Sequence, residues 1–136
     1  MKKTIKDSIV ILSSLVFMSF IFFAFTPGDQ KPWNIPAKYK TMKNPVKSDP
    51  TSINAGKATY AKHCKSCHGA KGLGDGTKAT TLKTKIPSFA SKAFKSQAPG
   101  EIYYQAIIGM DEMPNFEKKI LDESERWSLV NYLGSF

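Results

Sequence analysis

The chain is poor in the residues from which most chemical sites are built. Among its 136 residues are two cysteines, Cys64 and Cys67, two histidines, His63 and His68, and one arginine, Arg126. The cysteines stand only three apart, which leaves no structural disulfide to tie distant segments together. A tetrahedral zinc site needs a second ligand pair, and His63 merely abuts the first. Strand-like runs are missing around the cysteines, so the βαβ setting of a thioredoxin-like dithiol is not in evidence. The glycine-rich stretch 69–76 has no Gly-Lys-Ser/Thr ending and no strand before it, which argues against a phosphate cradle. The formal charge of +9 is carried almost wholly by lysine. With no arginine-rich run and no recognition motif, that charge does not point to nucleic acid.

Against this background one stretch stands out, Cys64-Lys65-Ser66-Cys67-His68. C-x-x-C-H is the pattern of a c-type haem attachment site. Two thiols three apart on a helical turn fall on one face. Each can then form a thioether to a haem vinyl group, and His68 follows as proximal ligand to the iron. Attachment would use both thiols. A redox dithiol is the rival reading of the same residues, and it requires both thiols to stay free.

The N-terminal residues 1–26 read as a targeting segment. Lys2, Lys3 and Lys6 precede an uncharged run over 8–28, which the positive-inside rule places with its lysines in the cytoplasm and the rest translocated. The apolar part exceeds a usual signal-peptide core and reaches the length of a short membrane span. Ala24-Phe25-Thr26 is a poor cleavage site, so the segment is a signal peptide or an uncleaved anchor lying at 8–26. Residues 27–51 form a linker rich in proline and lysine, with regular helix or sheet improbable and an extended spacer expected. Its Trp33, Ile35, Tyr39 and Met42 suit either docking on the folded domain or a partner; a solvated tether is the alternative.

Residues 52–136 are assigned to one domain. A first helix is expected over 52–63, capped by Thr51 or Ser52. Gly56, Tyr60 and Cys64 share one of its faces, and a mid-helix glycine suggests close approach by another element. Short helical turns are expected around 88–94. Leu82, Ile86, Phe89 and Phe94 are expected to line the haem pocket. A second helix is expected over 99–109, opened by Pro99 and stopped by Gly109. The last runs over 122–136, with Asp122 and Glu125 as its cap. Its wide apolar arc should pack on another helix, and Gly56 offers the place.

A six-coordinate electron-transfer haem needs a second axial ligand, and a Met/His pair is one that carries electrons without binding substrate. Met1 and Met18 lie in the targeting segment and Met42 in the linker. Of Met110 and Met113, Met113 is preferred, because Pro114 fixes an extended backbone beside it; core filling is the alternative role for either. The second ring nitrogen of a ligand histidine usually donates to a carbonyl, and that of Pro87 is the expected acceptor.

These residues together resemble class I cytochromes c. The resemblance rests on Gly56-x3-Tyr60-x3-Cys64-Lys65-Ser66-Cys67-His68-Gly69, on Met113-Pro114-x-Phe116, and on Trp127-Ser128-Leu129-Val130-Asn131-Tyr132-Leu133. It implies an all-α fold with helices wrapped around one covalent haem c. It also implies a crossing of first and last helices at Gly56, Tyr60, Leu129 and Tyr132. Its proline departs from the mitochondrial type, which places one soon after the proximal histidine. The linker looks like that of membrane-tethered bacterial examples.

The expected activity is electron transfer on the periplasmic side of a bacterial membrane, from a quinol-oxidising complex or dehydrogenase to a terminal oxidase or reductase. It is the activity of a carrier and not of an enzyme. Lys57, Lys62, Lys65 and Lys71 would steer an acidic partner in a salt-sensitive way, or simply solvate the surface. The rivals are a fixed subunit of a larger complex, a haem sensor or enzyme with an open sixth position, and the dithiol. A domain this small depends on the apolar surface of its cofactor. The Cys64→Ala/Cys67→Ala protein, made without haem, is therefore expected to show no cooperative melt by calorimetry.

Overall fold

Asp49 and Pro50 start the first long helix. Asp49 accepts the Ser52 N–H at 2.9 Å, and Ser52 Oγ accepts the Asp49 N–H at 3.2 Å. This reciprocal pair satisfies two of the N–H groups that a helix start leaves over. Pro50 fills the first helical position, where a missing N–H costs nothing. The helix therefore begins two residues before the expected 52, with Asp49 and not Thr51 or Ser52 as its cap.

The computed structural model describes residues 32–136. The targeting segment and the first residues of the linker lie outside the described residues. In order, the elements are α1 (Ala37–Lys40), α2 (Pro50–His63), α3 (Lys65–His68), a 3-10 turn (Ala79–Thr81), α4 (Lys92–Lys95), α5 (Pro99–Tyr103) and α6 (Glu123–Gly134). After α5 the chain continues as a π-helical turn, Tyr104–Ile108, so the expected helix over 99–109 changes register midway. Among the described residues there is no strand, only an isolated bridge between Met110 and Met113. No helix among them is long and apolar enough to cross a membrane.

Asp122 caps α6 by accepting the Glu125 N–H at 2.9 Å. Glu125 does not return the bond to form the expected box. Its carboxylate accepts the Thr59 hydroxyl at 2.6 Å and so joins α6 to α2. The two helices touch backbone to backbone at Gly56. A Cβ there would collide with the Ser128 carbonyl and lie 2.8 Å from Tyr132 Cβ. Tyr60 meets Tyr132 one turn on, with ring centroids 5.3 Å apart. Leu129 is fully buried, as are Trp127, Ile107 and Ile120. The Trp127 ring lies 4.4 Å from that of Tyr103, which ties α6 to α5.

Residues 32–49 lie on the helices. Ile35 is buried, and Tyr39, Met42 and Val46 pack against the core. Tyr39 stacks on Tyr103 at 6.3 Å, and Trp33 sets its edge on Tyr104 at 6.4 Å. The polar fastening is Asn131 on α6. Its amide donates to the carbonyl of Val46 at 3.2 Å and to Ser52 Oγ at 3.1 Å, and accepts the Asn44 amide at 2.7 Å. Asn44 also donates to the Trp127 carbonyl at 3.1 Å. Of the two readings open for this stretch, docking is the one found for residues 32–49. The single helical turn α1 within it departs from the expected extended spacer; it puts Tyr39 against α5.

The backbone contact at Gly56 has no side chain to yield. Gly56→Ala is expected to cost about 1–3 kcal/mol by overpacking, read as a lowered midpoint of denaturant unfolding. Asn54→Ala, on the exposed side of α2, should change it by less than about 0.5 kcal/mol.

Candidate functional site

The C-x-x-C-H stretch folds as one turn appended to α2. The Cys64 N–H closes α2 onto the Tyr60 carbonyl at 2.9 Å, and the Cys64 carbonyl then accepts from Cys67 at 3.1 Å and His68 at 3.0 Å. Cys64, Cys67 and His68 are thereby brought together as the spacing predicts. A short helix ending at His68 leaves its last carbonyls without partners inside the helix. The glycine loop supplies them. Lys78 N–H donates to Ser66 at 2.8 Å, Gly76 to Cys67 at 3.1 Å, and Gly74 to His68 at 2.9 Å. Gly69 and Gly74 hold φ of +83° and +78°, a conformation in which glycine alone is unstrained. The Tyr60 hydroxyl, buried, donates to the Gly69 carbonyl at 2.6 Å. The loop is thus the closing cap of the motif.

His68 lies flat on Phe89, with ring centroids 4.7 Å apart and planes 17° from parallel. Phe89 is held in turn by its N–H on the Gly72 carbonyl at 2.8 Å. The His68 Nδ1 is buried and has no hydrogen-bond partner among the described residues. The expected bond to the Pro87 carbonyl is not made; Phe89 orients the ring by stacking. Burial pushes the His68 imidazole down to about 4, so it is neutral at pH 7 with a lone pair available. Cys64 is 7 % exposed. Burial, and then the neighbouring Cys67, push its thiol up to about 12. Reactive dithiols need thiolates stabilised at neutral pH, so this environment disfavours the redox reading. Two thiols and a neutral imidazole on one turn, in apolar surroundings, fit a haem c group.

Met113 sits in a separate loop. It exchanges both backbone hydrogen bonds with Met110, at 2.9 and 3.0 Å, around a tight turn in which Asp111 has φ of 53°. Met113 is half-buried against the apolar cluster that includes Cys64 and Phe89. Phe116, just beyond, is anchored through its N–H on the Ile107 carbonyl at 2.8 Å. Phe89 and Phe94 are buried in that cluster, whereas Leu82 and Ile86 are half-buried.

Two roles escaped the sequence reading. Phe89 is there among the pocket residues, but its stacking on His68 has no local signal. Glu112 carries none either. Its carboxylate accepts the N–H groups of Lys83 at 3.0 Å and Thr84 at 2.9 Å, nearly thirty residues away. Those two donors hold it below the usual carboxylate range.

A C-x-x-C-H turn on an all-helical domain, closed by a crossing of its first and last long helices, defines a c-type cytochrome domain. The family model described as cytochrome c oxidase, cbb3-type, subunit III matches residues 51–133, and the chain belongs to that family. Membership carries with it haem c and an electron-transfer role. No curated protein matches the chain.

Tyr60 joins the helix crossing to the motif's cap. Tyr60→Phe would leave the Gly69 carbonyl short of its buried partner. It is expected to lower stability by about 1–2 kcal/mol, seen as a lower melting temperature of the haem-loaded protein.

Proposed function

We propose that the chain carries single electrons through one haem c, attached at Cys64 and Cys67, with His68 and Met113 as the axial ligands. The observation that carries this reading is the turn 64–68, which gathers both thiols and a half-buried imidazole whose buried Nδ1 has no partner among the described residues. When bound, the group supplies an iron that changes oxidation state without exchanging ligands. The chain favours the neutral imidazole and aligns it on Phe89. Met113 is supported by Pro114, by its reciprocal pairing with Met110 and by its contact with the cluster around Cys64.

The domain would work on the periplasmic side of a bacterial inner membrane, held by residues 8–26 if they are uncleaved. Its partners would be a quinol-oxidising complex or dehydrogenase on one side and a terminal oxidase or reductase on the other. Lys57, Lys62, Lys65 and Lys71 are all exposed and suit an acidic docking surface. The family description names an oxidase subunit. It favours a second reading, in which the same electron carrier is a fixed part of an oxidoreductase complex. Purification from native membranes separates the two, since a fixed subunit stays with its complex.

The test of ligation is the optical spectrum of the haem-loaded protein, oxidised and reduced, with and without carbon monoxide. A low-spin spectrum with a sulfur-to-ferric-iron band, unchanged by carbon monoxide, is expected. Met113→Ala should lose that band and bind carbon monoxide. An open site in the unmodified protein would instead indicate a sensor or enzyme, and no covalent haem would indicate the dithiol.

A further inference from the structure

Glu112 immediately precedes Met113 and joins two loops that are distant in sequence. One carboxylate oxygen takes the Lys83 N–H at 3.0 Å and the other takes the Thr84 N–H at 2.9 Å. Two successive backbone donors on one carboxylate make a two-point, charge-assisted clamp. The clamped loop continues to Ile86, which packs so closely on Gly74 that a Cβ on the glycine would strike the Ile86 carbonyl. Gly74 in turn donates its N–H to the His68 carbonyl at 2.9 Å. A continuous path therefore runs from the Met113 turn through Glu112, the 82–86 loop and Gly74 to the His68 turn.

The turn that presents Met113 lies on Gly109, where a Cβ would strike the Met113 and Pro114 carbonyls. Its own ladder is the single reciprocal pair with Met110. Asp111, Glu112 and Pro114 are exposed, so little apolar burial holds them. Loops of this kind open locally at a cost well below that of global unfolding. A clamp at such a place acts on local opening and has little influence on global stability.

We propose that Glu112 is a positioning residue, whose carboxylate clamps the Lys83–Thr84 backbone and so keeps Met113 on the iron against competing ligands. The inference rests on the reading of Met113 as the axial ligand. In this role Glu112 acts through the Lys83 and Thr84 N–H groups alone.

The experiment is an imidazole titration of the oxidised, haem-loaded full chain, following loss of the sulfur-to-iron band. Glu112→Ala is expected to take up imidazole about fivefold more tightly than the unmodified protein, in keeping with loss of a solvent-exposed charge-assisted bond pair. Its melting temperature should stay within about 2 °C, as befits a local effect. Glu112→Gln retains one accepting oxygen and should fall between the two. Amide exchange at Lys83 and Thr84 should quicken in both variants ahead of the rest of the domain. Unchanged imidazole affinity in Glu112→Ala, with the band lost in Met113→Ala, would overturn the clamp and leave the ligand intact. A melting temperature falling in step with the affinity change would make Glu112 a general stability residue and also overturn it. A band that survives in Met113→Ala would remove the ligand reading and the clamp with it.

Discussion

The contact between Gly56 and the Ser128 carbonyl sets the frame of the domain. With no Cβ at 56, α2 and α6 meet backbone on backbone. Gly56, Tyr60 and Cys64 follow one another at four-residue intervals along a single face. The first fixes the crossing, the second carries it to the Gly69 carbonyl at 2.6 Å, and the third begins the attachment turn. The position of the cysteines is therefore a consequence of the helix crossing, transmitted through two helical turns. Any residue larger than glycine at 56 would displace the site before touching it.

The attachment turn raises a second problem, which the glycine loop solves. A one-turn helix ending at His68 exposes three successive carbonyls, and each accepts an N–H from residues 74, 76 or 78. Gly76 is required there by space, since a Cβ would come within 2.6 Å of the Cys67 carbonyl group. The same loop holds Phe89 through Gly72, so one segment satisfies the motif's carbonyls and orients its imidazole.

What was legible in the sequence was what is local. The motif, the glycine at the crossing, the Asp122 cap and the helix opened by Pro99 all follow from spacings within a few residues. The start of α2 was misplaced because Pro50 reads equally as the end of a proline-rich stretch and as a first helical residue, and only Asp49 decides between them. The π-helical turn has no sequence signal, for α and π helices ask for the same apolar residues. The polar fastening of residues 32–49 joins Asn44 to Asn131, which are 87 residues apart. Glu112 and its donors are likewise distant. The Pro87 carbonyl was the natural guess for the His68 ring because hydrogen bonds are the usual way to orient a ligand histidine; here an aromatic stack does that work.

The electrostatics divide cleanly between inside and outside. A buried polar atom without a partner costs about 1–3 kcal/mol, and His68 Nδ1 is such an atom. Burial also removes charge from the donor set. Before attachment, burial pushes the His68 imidazole down to about 4 and the Cys64 thiol up to about 12, so both are uncharged at pH 7. The exposed lysines around the motif carry the surplus instead. Charge on such exposed side chains is screened by salt. The apolar interior acts on the held group. Because the two are separated by burial, the surface charge can vary from residue to residue without altering the apolar surroundings of Cys64 and of the His68 Nδ1.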